Sequence, residues 1–410
     1  MAESSSSGEA RRLVSLDAFR GFVVLTMVFV NYLWKVQGVP AWLQQSAAGT
    51  DSFTFADLVF PAFLFIMGLS MPLSFARRLK AGGDRLSLLP RVLVRSGMLL
   101  LLGLALGNER AFDETATGLS LHWWYLLAIG SSLLLWTTWP HAFAVRYPRW
   151  VIAIRAASIL ALAWLLLLFR VHDEHGGLHW LRHADDYCRW GILGMIGWSY
   201  LATALIYLAV RGHRDLLIGV IGWLIAAYIG WAHGRLGWLA DLDRIVPVGQ
   251  VLCAATSIVL AGAAAGTLFA DGAGGPNRSR LWFLIPFGVL LVAAGELIRP
   301  LHGVDRVKMT DAYALIAAGL CSLAFALTHF LTDLRRARTG LAIFVPVGQS
   351  ALLAFLLPQL ADHALSLVHM GILPFLARGG TAALVNVAIE TFVVLLVVRA
   401  ATHAKIFVRL

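Results

Sequence analysis

Ionisable side chains interrupt two long apolar runs near the start of the chain. Asp17 and Arg20 lie three residues apart in the run 16–36, a spacing that places them on one face of a helix. Asp57 opens the second run, 57–76. A carboxylate at the centre of a membrane helix costs about 2.5–3.5 kcal/mol on insertion scales, so such groups usually face protein or water. These three residues are therefore candidates for a functional site.

Each of these candidates has a structural and a functional interpretation. Asp17 and Arg20 could form an ion pair inside a helix bundle, or they could line a mouth that admits a phosphorylated ligand, since a guanidinium binds phosphate through paired hydrogen bonds. Asp57 follows Thr54, and either residue could cap a helix start, where the dipole favours a carboxylate. Alternatively, Asp57 could bind or deprotonate a substrate at the opposite mouth.

A second group of ionisable residues ends the ninth apolar run. Glu296, Arg299 and His302 are spaced at three-residue intervals. They could form an interfacial salt bridge with a snorkelling arginine, or they could supply a carboxylate and an imidazole for general base catalysis. His302 is the preferred histidine for that role.

Histidines are also concentrated in the connection 170–189, at spacings of 3, 4 and 4 residues. They could bind zinc with the adjacent carboxylates, but the sequence lacks an HExxH-type order, so we predict no metal site. His183 from this connection and His122 are further catalytic candidates. Glu390 and Asn386, in the last apolar run, suit interhelical hydrogen bonds or a transporter's proton relay.

Composition bounds the class of protein. The 410 residues are 59% hydrophobic and only 14% charged, with a mean hydropathy of +0.76, which predicts an all-α, polytopic membrane bundle in the lipid bilayer. Apolar runs near 20 residues predict about twelve spans: 16–36, 57–76, 88–107, 121–139, 150–170, 190–210, 216–233, 247–269, 281–298, 311–331, 341–361 and 380–398.

Residues 1–12 are predicted to be a disordered tail and 13–410 a single transmembrane domain. The three cysteines indicate no disulfide framework.

Basic residues predict the orientation. With the N-terminus in the cytoplasm, 21 of the 33 Lys and Arg residues fall in predicted inner segments and 11 in outer ones. This asymmetry predicts that both termini are cytoplasmic, and it explains the net charge of +10 without a nucleic-acid partner.

The first two runs carry a family resemblance. SLDAFRGFVVLTMVFVNY and FADLVFPAFLFIMGLSMPLS resemble the opening of the heparan-α-glucosaminide N-acetyltransferase-like transmembrane acyltransferases. CRWGILGMIGWSYL, the block that begins VKMTDAY and the ending KIFVRL resemble a bacterial branch of that family known as a domain of unknown function (5009). The resemblance implies a bacterial cytoplasmic membrane protein that moves an acetyl or other acyl group from cytosolic acyl-CoA to a periplasmic sugar or glycan. Asp17 and Arg20 would then bind acetyl-CoA, while Asp57, His302 or His183 would act on the acceptor.

One departure from the family pattern affects the expected mechanism. The family holds a histidine in the link between its first two motif helices, about ten residues before the aspartate, but here that position is Ala47 and the link has no histidine. Transfer is therefore expected to be direct, with both substrates bound together. A transporter of a polar solute and a non-catalytic protein that keeps the fold are the alternatives. A homodimer is compatible with the sequence.

Overall fold

The all-α prediction is confirmed by the computed structural model, which describes residues 13–33, 36, 38–109, 112–172, 178–180, 190–270, 277–335, 341–368, 380–405 and 407–408. Within these ranges, each predicted span corresponds to an apolar helix. They are α1 Val14–Leu33, α2 Val59–Lys80, α3 Leu89–Gly107, α4 Leu121–Trp136, α5 Pro148–Leu168, α6 Gly191–Ala209, α7 Arg214–Ala232, α8 Thr256–Ala270, α9 Asn277–His302, α10 Asp311–His329, α11 Ala351–Leu367 and α12 Gly380–His403.

Ten of these helices, counted over the described residues and with their adjoining turns, are long and apolar enough to cross a bilayer. The two exceptions are α4 and α11, which have 16 and 17 residues. Two spans include π-helical segments, Val248–Ala255 before α8 and Phe330–Leu334 after α10. Such segments are rare and frequently occur at functional sites.

Short elements connect the long helices. Helical turns occur at Ala41–Leu43, Ala56–Leu58, Leu86–Leu88, Glu114–Thr117, His141–Arg146, Gly237–Leu239, Ala240–Ile245 and Val345–Gln349. Strand β1 (Thr137–Thr138) pairs antiparallel with β4 (Phe407–Val408), and β2 (Arg170–His172) pairs antiparallel with β3 (Leu178–Trp180). The β1–β4 pair places residues 407–408 beside the C-terminal end of α4.

Helices α2 and α8 form the centre of the bundle. In the α8 span 83% of the residues are buried, against 11% in α5, which therefore lies at the periphery of the bundle. Glycines allow the two central helices to touch backbone to backbone. A Cβ at Gly262 would overlap the Phe65 carbonyl oxygen, and one at Gly68 would overlap the Val259 carbonyl oxygen. Small residues serve this role in membranes because close packing drives helix association there.

Candidate functional site

The link between α1 and α2 is fastened to the turn between α9 and α10. We call this end of the bundle the link end. The Asp51 carboxylate accepts hydrogen bonds from the Val304 N–H at 2.8 Å and from Arg299 Nε at 2.9 Å. The Gly49 N–H donates to Asp305 Oδ2 at 2.8 Å. The same contacts lower the pKa of Asp51 below its ordinary 3.8, chiefly through the Val304 N–H and then through Arg299. Residues far apart in sequence thus form one polar layer.

Asp57 lies buried inside this layer. Its Oδ1 accepts from the Ser46 N–H at 3.1 Å and faces Arg306 Nε at 3.2 Å. Its Oδ2 accepts from the Thr54 N–H at 2.9 Å and from the Thr54 hydroxyl at 3.0 Å. The buried Tyr313 hydroxyl donates to the Asp57 carbonyl at 2.7 Å. Because the Ser46 and Thr54 N–H groups donate to this carboxylate and the Arg306 guanidinium lies beside it, its geometry suits holding the link more than accepting a proton. The N-cap position of the turn Ala56–Leu58 is Phe55, and the Asp57 side chain satisfies the Thr54 N–H just before it.

His302 ends α9 and meets the first residue of α10. Its Nδ1 lies 3.0 Å from Asp311 Oδ1 and 3.1 Å from Asp311 Oδ2. The Asp311 side chain is fully buried and also accepts from the Ala312 N–H at 2.9 Å. Gly303 follows His302 with a φ of 69°, a left-handed conformation that closes the helix. Thr310 caps α10. Helix termination and helix capping therefore bring the two side chains together.

The other ring nitrogen of His302 points into protein. Among the described residues, Nε2 is buried and has no hydrogen-bond partner. The ring packs edge-on against Tyr228 and His233, with centroids 5.6 and 5.5 Å apart. An ionised carboxylate only accepts hydrogen bonds, so Asp311 favours the proton on Nδ1 and leaves a lone pair on Nε2. This is the tautomer that a general base requires.

Asp311 was not predicted as a site residue. In the sequence Thr310–Asp311 is typical of a helix start, because the hydroxyl caps the helix and the carboxylate favours its dipole. Only the fold places this carboxylate beside the imidazole nine positions earlier.

At the opposite end of the bundle, Asp17 and Arg20 form an ion pair. Arg20 Nη1 lies 3.5 Å from Asp17 Oδ1 and donates to the Gly348 carbonyl at 3.2 Å. Arg20 Nη2 donates to the Ser70 hydroxyl at 2.6 Å. The guanidinium therefore ties α1 to α2 and to the short helix Val345–Gln349.

A second imidazole–carboxylate pair lies at this opposite end and was not predicted. His329 Nδ1 lies 2.7 Å from Asp333 Oδ2, and His329 is fully buried. Its Nε2 has no hydrogen-bond partner among the described residues, and its ring lies between Phe269 and Phe325. Asp311 and His329 are 18 residues apart on α10, which is five full turns. The two pairs therefore lie on one helix face about 27 Å apart.

The remaining candidates lie apart from the His302–Asp311 pair. The predicted Glu296–Arg299 salt bridge is present at 3.1 Å. His122 faces His363 on α11, with 3.1 Å between their Nδ1 atoms. His183 lies outside the described residues. Within the described ranges, no group of three or more His, Cys, Asp or Glu side chains could hold a metal ion.

The fold and these contacts define a class of protein: an all-α, multi-pass membrane protein with an oriented imidazole at one end and an arginine–aspartate pair at the other. Residues 12–170 match the family described as heparan-alpha-glucosaminide N-acetyltransferase, catalytic. The resemblance based on the two motif helices is therefore confirmed. That region contains Asp17, Arg20 and Asp57, whereas His302 and Asp311 lie beyond it.

Two curated relatives support the same family. Over 261 residues the chain is 40% identical to the Mus musculus heparan-alpha-glucosaminide N-acetyltransferase. This aligned region covers 55% of this chain and 39% of the mouse protein. Over 97 residues it is 41% identical to the Homo sapiens protein of the same name. That aligned region covers 24% of this chain and 14% of the human protein. The matches thus span well under half the length of either relative.

Proposed function

We propose that this protein is a membrane-embedded acyltransferase that moves an acetyl group from acetyl-CoA to the amino group of an amino sugar in a glycan. The family match supports the reaction class, and the names of the relatives suggest a glucosaminide acceptor. The observation that carries the proposal is the His302–Asp311 pair, because amide formation needs a base that removes a proton from the attacking amine.

In the proposed reaction, the acceptor amine attacks the thioester carbonyl and forms the C–N bond. His302 Nε2 takes the proton that the nitrogen loses, while Asp311 holds the Nδ1 proton and stabilises the imidazolium. The C–S bond then breaks, and the His302 imidazolium passes that proton to the departing coenzyme A thiolate, which leaves His302 neutral again. Asp57 is a positioning residue in this scheme, since its carboxylate holds the link together through Ser46 and Thr54 and pairs with Arg306 of the α9–α10 turn.

The donor is proposed to enter from the opposite end, beside Asp17 and Arg20. Arg20 suits a phosphate because its guanidinium is a permanent positive charge whose planar fork of donors matches phosphate oxygens. The two ends of α10 are about 27 Å apart. The donor must therefore be elongated if its phosphate-bearing part lies near Arg20 and its acyl group near His302. Acetyl-CoA has this form.

Transfer is proposed to be direct. The link has no histidine between Val36 and Phe55, so it offers no imidazole that could carry the acetyl group. Mixing the protein with labelled acetyl-CoA alone should therefore leave no label attached to the chain. A trapped acyl-enzyme would contradict the direct route.

The proposed setting is a bacterial cytoplasmic membrane, with both termini in the cytoplasm and the link end outside. Reporter fusions after Arg78 and Arg338 should then give cytoplasmic signals, and a fusion after Gly177 a periplasmic signal. A reversed signal at any of the three would refute this orientation.

A transporter of a polar solute is the second candidate function. The observation that favours it is the buried His329–Asp333 pair, because imidazole–carboxylate pairs at both ends of one helix could serve as proton-binding sites.

A reconstituted assay separates the two functions. Proteoliposomes receive radiolabelled acetyl-CoA on the Arg20 side and an oligosaccharide that ends in glucosamine on the link side. The proposal predicts label in an N-acetylated product, and none with protein-free liposomes. Uptake of the unmodified sugar without label transfer would support the transporter.

A further inference from the structure

Two histidines face each other at the link end, on α4 and α11, the two described apolar helices that fall short of the length needed to cross a bilayer. His122 is the second residue of α4, and His363 lies in the last part of α11. Their Nδ1 atoms are 3.1 Å apart, and their ring planes are inclined by 52°. Neither histidine contributes to the His302–Asp311 pair, so this cluster has no role in the proposed transfer.

Packing fixes one member of the pair and leaves the other accessible. The His363 ring is 8% exposed and stacks on Tyr125, with centroids 4.8 Å apart and an interplanar angle of 21°. Tyr125 is itself buried, and its hydroxyl donates to the Ala105 carbonyl at 2.9 Å. His122 is partly exposed. His363 is therefore held in a fixed orientation, and His122 lies beside it on the side that solvent can reach.

The separation of the two nitrogens suits a shared cation. Two imidazole nitrogens bound to one metal at 2.0–2.1 Å and separated by 3.1 Å would subtend about 100° at the metal. That angle lies between those of octahedral and tetrahedral coordination. Glu109 is close enough to Tyr125 to interact with it electrostatically, and its negative charge would favour a cation nearby. The alternative is a single proton shared between two neutral rings.

We propose that His122 and His363 are two ligands of a transition-metal ion that prefers imidazole, of the Zn²⁺, Cu²⁺ or Ni²⁺ class. The ion replaces the shared proton and clips α4 to α11 at the link end. An ion that binds only the folded state adds to its stability, and here it would hold α4 and α11 together.

Copper is a suitable probe, since nitrogen ligands split its electron paramagnetic resonance spectrum. The full chain, purified without a polyhistidine tag, is titrated with Cu²⁺. The proposal predicts a signal with two coupled nitrogens that is lost in the double variant His122→Gln/His363→Phe, with affinity at the site at least about tenfold weaker in either single variant. His363→Phe keeps an aromatic ring against Tyr125, and His122→Gln changes a partly exposed position, so both variants are expected to fold.

Two further measurements complete the test. Zn²⁺ should raise the Tm of the wild type and of His122→Cys, which keeps a metal ligand, but not that of the double variant. His403→Gln, at an exposed histidine at the end of α12, is the matched control and should behave like the wild type. Other histidines, including those in 170–189, contribute background metal binding that is common to both proteins, so each readout is taken as the difference between the wild type and the double variant. The proposal is overturned if the double variant keeps the two-nitrogen signal and the Zn²⁺-dependent rise in Tm, or if the wild type has neither.

Discussion

His302 Nδ1 lies 3.0 Å from Asp311 Oδ1, so the last residue of α9 and the first residue of α10 form one buried imidazole–carboxylate pair. The turn between the two helices also carries Asp305 and Arg306, which hold the α1–α2 link. The pair and the link are thus parts of one polar layer. Changes in either should affect the other's position.

Asp311→Asn should lower the turnover number by about 100-fold or more, the usual scale for loss of a general base. An asparagine can offer its amide N–H to Nδ1, which moves the imidazole proton to Nε2 and removes the accepting lone pair. The measurement is kcat across pH, because a purely structural role would not change the pH profile. Glu296→Gln is the matched control: that carboxylate pairs with Arg299 and should be dispensable for turnover. Wild-type kcat and pH dependence in Asp311→Asn would refute the role of the carboxylate.

Arg20→Ala should weaken acetyl-CoA binding more than Arg20→Lys, because lysine keeps a point charge for the phosphates while alanine has none. Calorimetry with acetyl-CoA measures the difference, and Arg299→Ala provides a control arginine at the link end. If Arg20 is only structural, all three variants should bind the donor like the wild type, and Asp17→Asn should reduce Tm as much as Arg20→Ala does.

Asp51→Asn should make stability less dependent on acidic pH. The Val304 N–H and Arg299 hold the pKa of Asp51 below 3.8 in the folded protein, so its ionised form stabilises the fold above that pH. The contribution is lost as the pH falls through the lowered value. The Tm difference between wild type and variant should therefore be full at pH 7 and shrink below pH 3.8. A difference that stays constant over that range would contradict the assignment.

Gly262→Ala should lower the Tm, because the new Cβ would overlap the Phe65 carbonyl oxygen and force α2 and α8 apart. Overpacking of this kind typically costs about 1–3 kcal/mol. Gly222→Ala is the matched control, since a Cβ at that helical position meets no atom within 4 Å. Alanine favours the helix by roughly 0.5–1 kcal/mol over glycine, so the control should keep or raise the Tm. Equal Tm values for both variants would show that the close contact is unimportant.

Most of the fold could be predicted from the sequence, because apolar runs of about 20 residues have few alternatives in a membrane. The 16-residue helix α4 was still found, since its whole run is apolar. The π-helical segments and the two-stranded ribbons were not predicted. They depend on contacts between distant residues, as when Thr137 pairs with Val408, and a short run carries no periodic signal.

The site could be predicted only in part. The ionisable residues were conspicuous in apolar surroundings, which identified Asp57, Arg20 and His302 as candidates. Their partners were not conspicuous. Asp311 resembles an ordinary helix start, and His329 is a single histidine in an apolar run. Which carboxylate meets which imidazole depends on how α9 and α10 pack, and sequence spacing does not determine that packing.

His302→Gln tests the central claim most directly. Glutamine retains polarity at the position but cannot take a proton from the amine, so single-turnover transfer of labelled acetyl from acetyl-CoA to a glucosamine-terminated oligosaccharide should slow by about 100-fold or more. Acetyl-CoA binding, measured on the same preparation, should stay close to that of the wild type because His302 and the Asp17–Arg20 pair lie at opposite ends of the bundle. Transfer by His302→Gln at the wild-type rate would contradict the account.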